Sequence, residues 1–227
     1  QAKILPGYGS GCYRGLGHDG MIEKAEKYVK MGFTSIKMQA AHCFKNDEDI
    51  ANIKEMRTTL GDNIGIMIDV NQGWSVDEAI KVSKKIEYYN PEWLEEPVMA
   101  DDFDGYEKIC KSTSIPIVTG ENNFTHNDLL PFMKNKKIRI LQPDIMRGGY
   151  TNLMYTSQLA NQYGIKIAPH MDPELSIHSV ASIKNPSWLE YMGWYDHLWK
   201  EPLIPVNGTL KPTNRPGHGM DFTTEIY

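Results

Sequence analysis

Cysteine is scarce in this chain: Cys12, Cys43 and Cys110 are the only three among 227 residues. They are widely spaced and odd in number, with no Cys-x-x-Cys pair, which argues against a disulfide framework or a thiolate metal knuckle. A reducing, cytoplasmic setting is the expectation, with the three thiols serving as small buried apolar groups. Long apolar runs are missing too; none approaches the roughly 20 residues that cross a bilayer, so no membrane partner is expected. Positive charge is in deficit, and the formal net charge of −5 argues against nucleic acid as the main partner. No GxGxxG and no GxxxxGK[ST] occurs. The glycines of Gly7-Tyr8-Gly9-Ser10-Gly11 read equally well as a tight turn after a first strand. The chain opens on Gln1-Ala2-Lys3-Ile4-Leu5-Pro6 without Met or a signal-peptide pattern, so it reads as a piece of a longer protein.

What is present is a regular alternation. Strand-like apolar runs fall at Ile4–Gly9, Ser35–Met38, Ile64–Val70, Trp93–Glu95, Ile115–Gly120, Ile138–Gln142, Ile165–Pro169 and Trp188–Tyr191. Amphipathic stretches lie between them at Met21–Met31, Asp47–Leu60, Val76–Tyr89, Tyr106–Ser112, Asn127–Lys134 and Thr151–Tyr163. In Val76–Tyr89, for example, Ala79, Ile80, Val82, Ser83 and Ile86 can share one helical face. Ser75 and Glu78 form a capping-box pair before that helix. Gly32 and Gly164 stand where left-handed C-caps need glycine. Strands alternating with helices imply parallel pairing through right-handed crossovers. Eight such units favour a (β/α)8-type barrel over a doubly wound sheet. The barrel should occupy residues 1–200, with 201–227, rich in Pro and Gly, as an irregular tail.

The polar residues fall at the ends of these strands. Asp69, Glu95 and Glu121 each follow an apolar run, and successive acids are 26 residues apart, one βα unit each. In a barrel the C-terminal strand ends converge on one mouth. A single strand-end acid is ordinarily a solvated carboxylate. Three brought together repel one another unless a cation sits between them, and hard oxygen ligands suit Mg²⁺. Further round, Asp144 and His170 end consecutive strands, so the carboxylate can hold one imidazole nitrogen and make the other a base. Glu190 ends the next strand, where burial could keep it protonated as a hydrogen-bond donor. Lys37 could stabilise an enediolate, and Asn71 a substrate hydroxyl.

In that order these motifs resemble the enolase superfamily, in particular the mandelate racemase and muconate lactonizing subgroup. They are Ile36-Lys37-Met38-Gln39, Asp69-Val70-Asn71, Glu95-Glu96-Pro97, Gly120-Glu121-Asn122, Gln142-Pro143-Asp144, Pro169-His170 and Trp188-Leu189-Glu190. The resemblance implies a (β/α)7β barrel lacking the N-terminal α+β capping domain, with Asp69, Glu95 and Glu121 on Mg²⁺. It implies Asp144–His170 as the acid/base pair and Glu190 as a donor to a small hydroxy-carboxylate substrate, in an enzyme that is often a homo-oligomer. Subgroup members that work on both substrate faces carry Lys-x-Lys after the second strand. Here the second position is Gln39, which takes no proton at neutral pH and is left to touch substrate. Dehydration of a sugar acid through His170 alone is the expected reaction. A racemase or epimerase with an unrecognised second base, and a non-catalytic barrel, are the alternatives. His42 reads as a surface loop histidine.

Overall fold

The computed structural model describes residues 3–135 and 137–223. Strand and helix alternate from the start: β1 (Leu5–Cys12), α1 (Gly17–Lys30), β2 (Ser35–Gln39), α2 (Asn46–Leu60), β3 (Gly65–Asp69), α3 (Val76–Ile86), β4 (Trp93–Glu95) and α4 (Phe103–Ser112). The pattern continues with β5 (Ile117–Val118), α5 (His126–Lys134), β6 (Ile140–Leu141), α6 (Ile145–Gln162), β7 (Lys166–Ile167), α7 (Pro173–Ser182), β8 (Leu189–Tyr191) and β9 (Thr209–Leu210). The main sheet runs β5-β4-β3-β2-β1-β8, all parallel, while β6 and β7 form a second parallel pair. Single bridges join Thr119 to Leu141 and Ile167 to Pro186, carrying the pairing from β5 to β6 and from β7 towards β8. The result is an α/β fold built on a curled parallel sheet.

Alternation along the strands sorts the apolar residues into two cores. Ile36, Met38, Ile66, Ile68 and Leu94 point outward and pack in one large cluster with helix residues such as Ile53, Val82 and Ile109. The opposite face supplies a smaller inner cluster of Tyr8, Met67, Trp93 and Val118, with Trp188 against it. The rings of Tyr8 and Trp93 meet edge to face at 5.3 Å. Residues on this inner face one pleat nearer the C-terminal ends are Gln39, Asp69 and Glu95, paired side by side in register.

Local signals set several boundaries. At α3, Ser75 Oγ accepts from the Glu78 amide while Glu78 accepts from the Ser75 amide, the reciprocal cap its sequence implies. Gly32 and Gly164 adopt φ of 89° and 70°. Other boundaries differ from expectation. Helix α1 begins at Gly17 and α6 at Ile145, earlier than their periodicity indicated. Strands β5, β6 and β7 keep only two ladder residues each. Helix α7 carries little amphipathic contrast, since Pro173, Glu174, Ser176, Ile177, Ser179 and Val180 are all buried, and its pattern was not a helical signal. Cys43 is exposed, unlike buried Cys12 and Cys110, because it lies in the loop after β2 rather than in an element.

The segment beyond residue 200 is not wholly irregular. A turn at Asn207-Gly208 sends β9 back along the start of β1, antiparallel, with Gly7 N donating to Gly208 O at 2.9 Å. Gly208 N donates to Met31 O at 3.1 Å, so the same turn also holds the end of α1.

Packing between α1 and β1 leaves no room at Gly9, where a Cβ would enter the ring of Tyr28, itself bonded through its hydroxyl to Ser10 O. Gly9→Ala is expected to destabilise the fold by about 1–3 kcal/mol through overpacking, read as a lowered midpoint in thermal or urea unfolding.

Candidate active site

Strand register aims the first two acids. Gln39, Asp69 and Glu95 are neighbours on β2, β3 and β4, so their side chains enter the mouth in one layer. Glu121 arrives differently. It stands beyond the end of β5, after Gly120 at φ 136°, where a Cβ would press on the backbone of Gln142 at 2.9 Å. Glycine therefore lets the chain lie against the start of the next unit and turn Glu121 inward. One carboxylate oxygen from each of Asp69, Glu95 and Glu121 lies within 4.8 Å of the others, and all three residues are buried.

Lys37 sits one pleat deeper, level with Met67. Its Nζ lies 2.7 Å from Glu95 Oε1, 2.8 Å from Glu190 Oε1 and 3.8 Å from Asp69 Oδ2, above the ring of Tyr8. At the Glu121 end of the acid cluster stands His170, its Nε2 3.3 Å from Glu121 Oε2. Its Nδ1 is 3.0 Å from Asp144 Oδ2. Asp144 is also the N-cap of α6, with Oδ1 accepting from the amide of Met146 at 2.6 Å. One carboxylate thus starts a helix and fixes the imidazole.

At the Asp69 end the polar groups are neutral or cationic. Asn71 donates from its backbone and from Nδ2 to Asp69, each at 2.9 Å. Arg14 reaches Asn71 Oδ1 at 2.8 Å and Ala40 O at 2.9 Å, and its backbone amide donates to Gln39 Oε1 at 3.3 Å. His42 is exposed and holds Asn71 O through Nε2 at 2.9 Å. The structure thus gathers Lys37, Asp69, Glu95, Glu121, Asp144, His170 and Glu190 into one cluster, with Gln39 and Asn71 on its rim.

The site also contains groups that sequence reasoning did not single out. Trp93 Nε1 donates to Glu95 Oε2 at 3.0 Å; two residues apart on a strand means the same face, and that spacing was the available signal. Buried Glu96 turns away at φ 39° and accepts from Asn122 Nδ2. Arg14 and Arg147 come from loop and helix starts whose reach no periodicity encodes.

The family model described as enolase C-terminal domain-like matches residues 20–226. The chain belongs to this family. It is 29% identical over 223 residues to the 3,6-anhydro-alpha-L-galactonate cycloisomerase of Streptomyces coelicolor, a match covering 96% of this chain and 62% of that protein. With the L-talarate/galactarate dehydratase of Salmonella typhimurium it shares 31% identity over 194 residues, 85% of this chain and 48% of the relative. A solved structure of a racemase from Streptomyces coelicolor with bound magnesium superposes with a TM-score of 0.92 at 27% identity, covering 98% of this chain and 62% of the other. The chain thus spans roughly half to three-fifths of the length of the proteins it resembles.

In this enolase C-terminal-like domain, burial and crowding dominate the electrostatics. Burial pushes Asp69 up to about 6 and Glu95 to about 7, with Lys37 pulling both back. Glu96 rises to about 8 through burial and its neighbour Glu121. Glu121 is raised for the same reasons of burial and nearby acids, against the pull of His170. Burial lowers His170, but the bond to Asp144 and the fields of Glu190 and Glu121 outweigh it and hold the imidazole at about 9. Glu190 corrects an expectation. Burial raises it, yet Lys37 at 2.8 Å, His170 and the Met171 amide at 2.8 Å bring it down to about 2. It is a carboxylate rather than a protonated donor, because its nearest neighbour is an ammonium.

Asp69, Glu95, Glu96 and His170 all bind protons more tightly folded than unfolded, so they stabilise the fold at low pH and that contribution is lost as pH rises through their folded values. Without added metal, the melting temperature should fall as pH is raised from 6 to 9, roughly as these values span. Calorimetric or fluorescence melts across that range check the slope. A divalent cation should flatten it, since it replaces protons as the partner of the acids.

Proposed function

We propose that this chain is the (β/α)7β barrel domain of a Mg²⁺-dependent enzyme that removes the proton beside a carboxylate and eliminates water from a sugar acid. The product of that reaction is a 2-keto-3-deoxy acid. The observation that carries the reading is the asymmetry around the acid cluster: a His–Asp pair at the Glu121 end and no proton acceptor at Gln39.

Asp69, Glu95 and Glu121 fit a hard divalent cation, being three buried carboxylates with one oxygen each inside a 4.8 Å span. Their protons are held up by mutual repulsion and burial, the state that a cation relieves. Mg²⁺ held there would polarise a substrate carboxylate and so make the neighbouring C–H more acidic. His170 Nε2, set by Asp144 on the other nitrogen, takes the α-proton. The field of Glu121, which together with the Asp144 bond and Glu190 raises the proton affinity of His170, is weakened once Glu121 shares a cation. Lys37, fixed by Glu95 and Glu190, supplies positive charge under the developing enediolate. The same His170 then returns its proton to the departing β-hydroxyl, so loss of both groups occurs on one face. Gln39 and Asn71 offer hydrogen bonds to the hydroxyls.

A racemase needs a proton donor or acceptor on each face, and the Asp69 end presents Gln39, Asn71, Arg14 and an exposed His42 whose Nε2 is engaged by the Asn71 carbonyl. The resemblance to a cycloisomerase favours a second reading, in which His170 begins the same proton removal and an internal group of the substrate replaces water as the leaving group. We also propose that the rest of a longer protein covers the mouth. Tyr13, Leu16, Met99, Phe124, Met146 and Trp194 are exposed on the segments that follow strands β1, β4, β5, β6 and β8. Such a rim is the apolar surface that a capping domain buries.

Assayed as the full-length protein against a panel of aldonates and aldarates, it should release 2-keto acid only with Mg²⁺ present. His170→Asn should lower that rate at least about 100-fold. In D₂O, recovered substrate should carry deuterium without inversion. Deuterium in both epimers would sink the one-face mechanism, and turnover without keto acid would favour cycloisomerisation.

A further inference from the structure

Each acid of the proposed cation site accepts a hydrogen bond from an uncharged N–H. Asp69 takes two from Asn71, Glu95 takes one from the indole of Trp93, and Glu121 Oε1 takes one from Asn122 Nδ2 at 3.2 Å. The third case differs in what else the donor does. The same Asn122 nitrogen donates to Glu96 Oε2 at 2.6 Å, so its two hydrogens serve two carboxyl groups. On the other side of the amide, Oδ1 accepts from Arg147 Nη2 at 3.0 Å. A reversed amide would put oxygen against two carboxyls and NH₂ against a guanidinium, so the network allows one orientation only.

Glu121 has particular need of such a partner. Asp69 and Glu95 are ladder residues, and the strands fix where they point. Glu121 stands past the end of β5, on a turn made by a glycine, with no ladder partner. Arg147 belongs to the first turn of α6, whose N-cap is Asp144, the residue that holds His170. Asn122 therefore connects an acid of the cation site to the helix start that carries the orienter of the base.

We propose that Asn122 is a positioning residue that aims Glu121 at the cation, anchored below by buried Glu96 and above by Arg147. The inference rests on the reading of Asp69, Glu95 and Glu121 as a metal site. Partners of metal ligands characteristically alter metal affinity when lost, by about 10- to 100-fold. Asn122 is only half-buried, so its replacement removes little packing.

The test is Mg²⁺ affinity of the full-length protein by calorimetry, for wild type, Asn122→Ala and Asn122→Asp, with metal-free melting temperatures alongside. Alanine removes all three contacts. Aspartate keeps an acceptor for Arg147 but removes both donations. Both variants should bind Mg²⁺ at least about 10-fold more weakly, while the metal-free melting temperature of Asn122→Ala moves by only about 2 °C; Asn122→Asp, which sets a third carboxylate against Glu96 and Glu121, should melt lower. At saturating Mg²⁺, kcat should return towards the wild-type value while the Mg²⁺ activation constant stays raised. Wild-type affinity in either variant would overturn the proposal. So would a weakening in Asn122→Ala matched by a large fall in its metal-free melting temperature, which marks a general structural role. Failure of the wild type to bind Mg²⁺ would instead remove the metal reading, and this inference with it.

Discussion

Negative charge crowded where water is largely excluded is the constraint that orders this molecule. Asp69, Glu95, Glu96, Glu121 and Glu190 are all buried around one opening, and Lys37 is the buried ammonium among them. Isolated carboxylates there would be costly, since burial removes hydration that a low-polarity surround cannot replace. Lys37 resolves part of the conflict by touching Glu95 and Glu190 together. The remainder appears as raised proton affinity on Asp69, Glu95 and Glu121. Parallel strands make the crowding possible: neighbouring strands in register deliver their ends to one plane, whatever the helices between them do.

Much of this was legible from residue order. Asp69, Glu95 and Glu121 recur at the length of one βα unit, and equal spacing translates into adjacency because each unit advances one strand. Asp144 and His170 follow from the same period, and the capping pair Ser75–Glu78 from chemistry confined to four residues. Local rules of this kind survive folding because they depend on covalent distance.

Where interactions cross between units, the sequence was less informative. The charge of Glu190 depends on how far Lys37 reaches from another strand, and reach is not a property of spacing. Helix α7 is buried on more than one side, so it lacks the contrast between faces that marks an amphipathic helix. The short strand β9 is defined by its partner β1, nearly the whole chain away, rather than by its own two residues. Cys43 is exposed although Ala40 and Ala41, just before it in the same loop, are buried.

The aromatic layer beneath the acids carries a consequence of its own. Tyr8, Met67, Trp93 and Val118 are sealed from solvent, and Trp188 packs on the ring of Trp93. Among the described residues, this packed layer fills the space below Lys37. On the proposed function, a cation held by the acids and an organic acid above it would both arrive from the strand-end side, the deeper guest entering first and leaving last. Under that reading, exchange of the ion would wait for the organic acid to depart.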